Sequence, residues 1–477
     1  MKTSYDAVII GAGPNGLAAA VTMAQAGHSV IVFEASETIG GGARTKELTL
    51  PSFKHDVCSA IHPLGISSPF FRALPLEQYG LTWLHPPTPA AHPLDDGPAM
   101  LLERSLWDTG ETLACDGWAY KKLMGPLVEH WDMIVQAFLG PLRVKPLLHP
   151  YELAQFALPA LRSAKDLALH YFQGKRARAL WAGICAHALL PLDQPPSAAF
   201  GLMLALAGHA VGWPLARGGS QSIVDALAAY LCDLGGEIVT GVEIHSLSAL
   251  PSAQTILCDI TPKQLVNIAS DYLPQGYKHR LQRFRYGPGS FKVDYALDGP
   301  IPWKDEACLR AGTVHLGGSF EEIMTSEWQV AHGMPPEQPY VLLTQASLFD
   351  DTRAPAGKHT AWVYCHVPHS STFDMTERIE AQIERFAPGF RDCILARHVM
   401  NPVALEQYNA NYIGGDISGG VQDFWQLFTR PAPRLIPYST PARNVYICSS
   451  STPPGPAVHG MCGHFAAKAA LDAGKWV

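Results

Sequence analysis

The stretch Tyr5-Asp6-Ala7-Val8-Ile9-Ile10-Gly11-Ala12-Gly13-Pro14-Asn15-Gly16 decides how this chain is read. Its first six residues are those of a short buried strand, and a glycine turn follows at once. Leu17 to Ala26 reads as a helix closed by Gly27, and Ser29 to Phe33 as a second strand that ends on Glu34. Strand, GxGxxG turn, helix, strand and acid, in that order, make a dinucleotide-binding fingerprint in its required context. Gly11 permits the tight turn, Gly13 lets the backbone approach a pyrophosphate, and Gly16 lets the helix pack closely on the strand. The helix start at Pro14 and Asn15 offers free amides and a positive dipole end to phosphates. Glu34, eighteen residues past Gly16, is placed to accept both ribose hydroxyls, and its charge disfavours a 2′-phosphate.

Outward from Glu34, Ala35-Ser36-Glu37-Thr38-Ile39-Gly40-Gly41-Gly42-Ala43-Arg44-Thr45 is a second glycine-rich loop. Its glycines admit backbone amides to a long ligand, and Arg44 is a planar donor suited to a diphosphate or a flavin edge. An ordinary surface loop with a solvated arginine is the bland alternative. With this loop in place, the sequence resembles the flavoproteins whose FAD-binding unit runs from GxGxxG…E into GG-x-R-[ST]. That group includes phytoene desaturases, protoporphyrinogen oxidases and monoamine oxidases, and it implies FAD as cofactor.

At the other end, Asn444 to Cys448 reads as a strand, Ser449 to Pro456 as a turn-rich link, and Ala457 to His464 as the opening of an alanine-rich helix. The resemblance implies that this unit folds back onto the N-terminal one, bringing Ser450, His459, Gly460 and Met461 to the flavin. There the helix dipole would favour the anionic reduced ring.

Composition narrows the class. The chain has 477 residues, 47% hydrophobic and 16% charged, with net charge −7. Charged residues usually make up about a quarter of a globular chain, so a large interior or a surface turned toward something greasy is expected. The net charge gives no reason to expect a nucleic-acid partner. Ten cysteines occur without any CxxC pair, which predicts free thiols in a reducing compartment, no disulfide framework and no metal site. The first apolar run is too short for a signal peptide and is already the first strand, so a cytoplasmic location is expected. Gln194 to Ala216 lacks Asp, Glu, Lys and Arg, but its prolines and glycines predict a buried helix rather than a membrane span.

The organisation is discontinuous. Residues 1–75, 212–262 and 425–477 are assigned to a Rossmann-like α/β FAD-binding domain, and 76–211 and 263–424 to a mixed α+β substrate domain. Gly218-Gly219 precedes a helix over Ile223 to Leu234, and Gly235-Gly236 precedes a strand over Glu237 to Ile244. In the resembled family this block lies beside the adenine, which puts Val242 at the contact. Only one complete dinucleotide fingerprint is present, so no separate nicotinamide site is expected.

Within the group, the likeness is closest to the phytoene dehydrogenase-related oxidoreductases, the branch that includes the pyridine nucleotide-disulphide oxidoreductase domain-containing protein of mitochondria. Ser59-Ala60-Ile61-His62-Pro63, Pro75 to Leu81, Gly212-Trp213-Pro214 and Gly414-Gly415-Asp416 carry it. It implies an FAD-dependent dehydrogenase or desaturase that takes hydride from a hydrophobic, isoprenoid or lipid substrate. A flavin amine oxidase, a redox-neutral flavin isomerase and a non-enzymatic lipid-binding escort remain as alternatives, and no redox CxxC supports disulfide chemistry. By family position His459 and His62 are candidate bases; a structural histidine donating to a backbone carbonyl is the competing role of each. Lys175, Arg176 and Arg178 beside Tyr171, Phe172 and Trp181 suggest a peripheral contact with a membrane surface.

Overall fold

The computed structural model describes residues 3–141 and 150–474. Two large sheets organise it. Their strands, in chain order, are β1 (Ser4–Ile10), β2 (Val30–Phe33), β3 (Thr88–His92), β4 (Met100–Leu102), β5 (Glu237–Val239), β6 (Ser252–Cys258), β7 (Gly289–Leu297), β8 (Ala311–Leu316), β9 (Val341–Thr344), β10 (His359–Val367), β11 (Ile394–Met400) and β12 (Val445–Ile447). Its helices include α1 (Pro14–Gln25), α2 (Pro150–Ala160), α3 (Lys175–Cys185), α4 (Ser197–Ala210), α5 (Gln221–Asp233), α6 (Gln275–Gln282), α7 (Phe424–Thr429) and α8 (Met461–Gly474).

The first sheet has the order β12-β6-β1-β2-β5 and is parallel throughout. Parallel sheets are buried on both faces, and the strand sequences show it. Ala7, Ile9, Val30 and Val32 pack in one cluster with α1, α5 and α8, while Tyr5, Val8, Ile10, Ile31 and Phe33 pack in another with Tyr277 and Leu281 of α6. Ile10 pairs with Phe33 on one side and with Cys258 on the other, and Cys258 pairs with Ile447. This register brings the next residue of each strand, namely Gly11, Glu34, Asp259 and Cys448, to one edge of the sheet. Ligands of open α/β sheets bind at this carboxyl edge.

Two glycines set the helices on this sheet. A Cβ on Gly16 would lie 1.9 Å from the Gly11 carbonyl oxygen, and one on Gly463 would lie 1.8 Å from that of Asn15. Only bare backbone permits α1 to sit so close to its own turn and α8 to cross α1 there. Thr22 Oγ1 and His464 Nδ1, 3.0 Å apart, tie the same crossing.

The second sheet, order β11-β7-β10-β9-β8-β3-β4, is antiparallel except for β8 beside β3. One face (Val293, Val363, Leu343, Val314) joins a hydrophobic cluster with Ile379, Ile383 and Phe386. The other carries Lys292, Tyr364, Leu342 and His315 in register across four strands. Helices α3 and α4 lie near that face, as shown by the Tyr340 hydroxyl donating to the Gly183 carbonyl at 2.6 Å.

Several element limits differ from the sequence expectation. The strand expected over Glu237 to Ile244 ends at Val239, because Gly241 turns with φ of 70°. Gln194 to Ala216 becomes α4, fourteen residues long and buried along most of its length, about 21 Å at 1.5 Å per residue. Among the described residues, no helix is long and apolar enough to cross a membrane.

Candidate dinucleotide site and redox centre

The glycine turn is closed by two carboxylates. Glu34 Oε2 accepts the Ala12 amide at 2.8 Å, and Oε1 accepts the Ser36 amide at 3.0 Å and Arg44 Nη2 at 3.1 Å. On the other side Asp259 Oδ2 accepts the Gly16 amide at 2.8 Å. The second glycine loop lies directly against the first: Gly40 donates to the Ala12 carbonyl at 2.9 Å, and a Cβ on Gly41 would meet Gly13 Cα at 3.3 Å. Gly42 faces the Tyr412 hydroxyl, and Ala43 is buried behind it.

Arg44, expected as a donor to a diphosphate or a flavin edge, has partners within the protein as well. Its guanidinium is buried, pairs with Glu34, and donates to the carbonyls of Thr38 (2.7 Å) and Ile39 (3.2 Å). It therefore braces the second loop against the ribose acid. Val242, outside β5, donates its amide to the Glu34 carbonyl at 2.9 Å, and Gly241 does the same to Ser36. The Val242 side chain stays 37% exposed, free to cover one face of a planar ring beside Glu34, while Ala35 is exposed next to it. Asn15 reaches across to β12, its Nδ2 donating to Ser450 Oγ at 3.4 Å, and its Oδ1 is buried without a partner.

Each of the two histidines singled out in the sequence makes a hydrogen bond within the protein. Met461 donates its amide to His459 Nδ1 at 3.1 Å, and Nε2 is buried without a hydrogen-bond partner. The His459 carbonyl accepts the Ser68 hydroxyl at 2.6 Å, so Gly460 and Met461 enter α8 from a fixed loop. His62 Nε2 bonds Ser220 Oγ at 2.8 Å, and that hydroxyl donates to the Ser59 carbonyl at 2.6 Å. His62 is thus the donor and links the Ser59 loop to α5. Burial pushes both imidazoles down to about 4, neutral at physiological pH.

A small apolar cavity lies between the two sheets' territories. Val57 and Cys58, past the second glycine loop, meet Ser290, Lys292, Trp362 and Tyr364 of the second sheet, with Leu405 and Ile417 closing the sides. Lys292 is buried and ion-paired with Asp294. Burial opposes the charge on Asp294, but Lys292 and His398 outweigh it and hold the carboxyl below its usual range. Sequence reading missed this pair. Two opposite charges at i and i+2 of an apolar strand share one face, and that is the signal that marks it. Further along the same face lie His187, His315 and His92, all neutral through burial.

The basic segment expected at a membrane is spent internally. Phe172 and Trp181 are buried, Arg178 donates to the Phe172 carbonyl, Arg176 to that of Thr112, and Lys175 pairs with Asp96.

A parallel nucleotide-binding sheet with an acid-closed glycine cradle, joined to a second, mostly antiparallel sheet, defines a dinucleotide-dependent oxidoreductase of the flavin type. The residues present fit FAD, with Glu34, the glycine turn, Val242 and the C-terminal loop brought to one edge. Residues 9–74 match the family model of NAD(P)-binding Rossmann-like domains. Across 98% of this chain and 93% of its own length, a mouse protein named pyridine nucleotide-disulfide oxidoreductase domain-containing protein 2 is 26% identical. The chain is a homologue of that protein. In fold it is similar to an oxidoreductase from Methanosarcina mazei (TM-score 0.66, 17% identity, 98% of this chain and 99% of that one). It is similar also to putrescine oxidase (TM-score 0.61, 17% identity, 99% of each chain).

Proposed function

We propose that this protein is an FAD-dependent dehydrogenase or desaturase that removes hydride from an uncharged, largely apolar substrate. The observation that supports the reading is the largely apolar and aromatic surroundings of Lys292, where Val57, Trp362, Tyr364, Leu405 and Ile417 leave a gap of only about 10 Å³, so the substrate would lie against this wall and not inside it. A cationic amine would find no anionic partner in that wall and would lie next to an ammonium. FAD, when bound, supplies the two-electron acceptor. The chain's own residues do the rest: Glu34 and the glycine turn fix the nucleotide, Trp362 and Tyr364 shape the substrate face, and the paired Lys292 presents a fixed positive charge. Such a fixed charge in a dry site favours negative charge that develops beside it. The test is anaerobic bleaching of the yellow protein by a panel of isoprenoid or lipid compounds set against primary amines and amino acids. Bleaching by amines alone would overturn this reading and promote amine oxidation.

The substrate is proposed to come from a membrane surface through a patch on and after α7. Phe424, Trp425, Phe428, Leu435 and Ile436 are all exposed there, Trp425 by 75%. Arg434 stands in the same loop over the Tyr277 ring of α6 at 5.7 Å, and that helix and its end add Lys278, Arg280 and Arg283. Aromatic and aliphatic tips ringed by cations suit anionic headgroups. Flotation with anionic liposomes, weakened by salt and by Trp425→Ser, is expected; equal flotation of wild type and variant would remove this surface.

A further inference from the structure

Asp259 is the first residue past β6, and its carboxylate stands inside the glycine turn. Besides accepting the Gly16 amide, Oδ2 lies 2.9 Å from where a Cβ on Gly13 would be, and the Asp259 carbonyl lies 3.0 Å from the corresponding point on Gly11. The main chain is fixed on both sides. The Asp259 amide donates to the Ile10 carbonyl at 2.8 Å, and its carbonyl accepts Asn411 Nδ2 at 3.1 Å. These bonds fix the backbone from which the side chain extends, and the Gly16 amide holds the carboxylate itself.

The surroundings of this carboxylate are acidic or neutral. Glu34 faces it across the turn, Cys258 precedes it, Cys448 comes from the end of β12, and Cys462 comes from α8. Arg44 is engaged with Glu34 and the loop carbonyls, and Arg430 acts on Cys462 and Asp416. Among the described residues, no Lys or Arg acts on Asp259. A dinucleotide brings its diphosphate charges to the same turn, where like charges in a poorly solvated site repel strongly.

We infer that Asp259 binds the dinucleotide as a neutral carboxylic acid, so that FAD binding draws one proton from solvent wherever the free protein holds Asp259 ionised. This rests on the FAD assignment made above. Burial, with Glu34 adding to it against the Gly16 amide, already raises the group to about 7 in the FAD-free chain. The sign follows from that. Below about 7 the acid is protonated before FAD arrives and no proton moves. Above it each bound FAD must take up a proton, so affinity falls with rising pH toward a limit of about tenfold per unit. His62 and His459, at about 4, stay neutral throughout and add no slope.

The test is titration of FAD-stripped protein with FAD, read by flavin fluorescence between about pH 6 and 8.5. Calorimetry in buffers of different ionisation enthalpy would count protons. Wild type should show a flat Kd below about 7, a rise above it, and close to one proton taken up at the alkaline end. Asp259→Asn should bind FAD with a flat profile and no proton uptake, about 30-fold tighter than wild type at pH 8.5. FAD binding by wild type with a flat profile and no uptake overturns the inference, as does an unchanged slope in Asp259→Asn. The proton count on wild type decides the matter even if the variant does not fold. Absence of FAD binding at every pH is a different failure, and it overturns the FAD assignment together with this inference.

Discussion

Replacing Glu34 with Ala removes a structural brace as well as a ribose ligand, and the two losses are separable. A carboxylate offers about four acceptor positions; the amides of Ala12 and Ser36 and the Arg44 guanidinium occupy three. One remains for a ribose hydroxyl, fewer than the two expected from sequence. Losing that charge-assisted bond weakens FAD binding by about 1.5–3 kcal/mol, a rise in Kd of about 10- to 150-fold. The FAD-free protein suffers too. Arg44, 3% exposed, keeps only neutral carbonyl partners, and breaking a buried pair on one side costs about 3–5 kcal/mol. Thermal melting of the FAD-free protein reads the second effect, and FAD titration at a temperature well below melting reads the first. An FAD-free variant melting at the wild-type temperature would refute the bracing role. An unchanged Kd would refute the ribose assignment. Glu34→Ala with Arg44→Met should melt higher than Glu34→Ala alone, because the uncompensated charge is gone.

Other outcomes follow from the same reasoning. Lys292→Met should lower stability by about 3–5 kcal/mol by stranding Asp294, and Lys292→Met with Asp294→Asn should regain part of it; additive losses in a double-mutant cycle would contradict the pairing. Gly463→Ala should separate α8 from α1 and lower both melting temperature and FAD occupancy, checked by the flavin-to-protein absorbance ratio. Melting temperature should fall steeply as pH drops from about 6.5 to 4. His62, His92, His209 and His459 are held to about 4 by burial and so resist a proton that the unfolded chain accepts. Neither NADH nor NADPH should reduce the bound flavin rapidly, since one fingerprint serves one dinucleotide; saturable stopped-flow reduction at micromolar nicotinamide would show otherwise.

Local pattern made the nucleotide half of the fold legible. The run from Tyr5 to Glu34 carries its own strand, turn, helix and strand signals, and the structure places each within a few residues. The surroundings of His62 were harder to read, because its hydrogen-bond partner lies far off in sequence. His62 meets Ser220 across 158 positions. Nothing local told of the bond between Asp259 and Gly16, 243 positions away. Likewise Lys175, Arg176 and Arg178 looked like a free basic face, because a linear count does not show Asp96 and two carbonyls consuming them. The exposed patch at Phe424 to Ile436 went unread, since apolar residues in a loop look no different from core until their burial is known.

The parallel sheet has a consequence for how the protein is made. β1, α1 and β2 leave the ribosome well before their neighbours, and their sheet lacks β6 until Cys258 has emerged and lacks β12 until Ile447 has. At ordinary translation speeds of about 5–20 residues per second, the opening βαβ unit waits tens of seconds with one edge of β1 unpaired. Cofactor loading is then a late event in biogenesis, and a nascent chain stalled before β12 would have half a cradle and an open strand edge. Such an edge invites pairing with another chain, which makes the interval before completion the stage at which chaperone protection matters most.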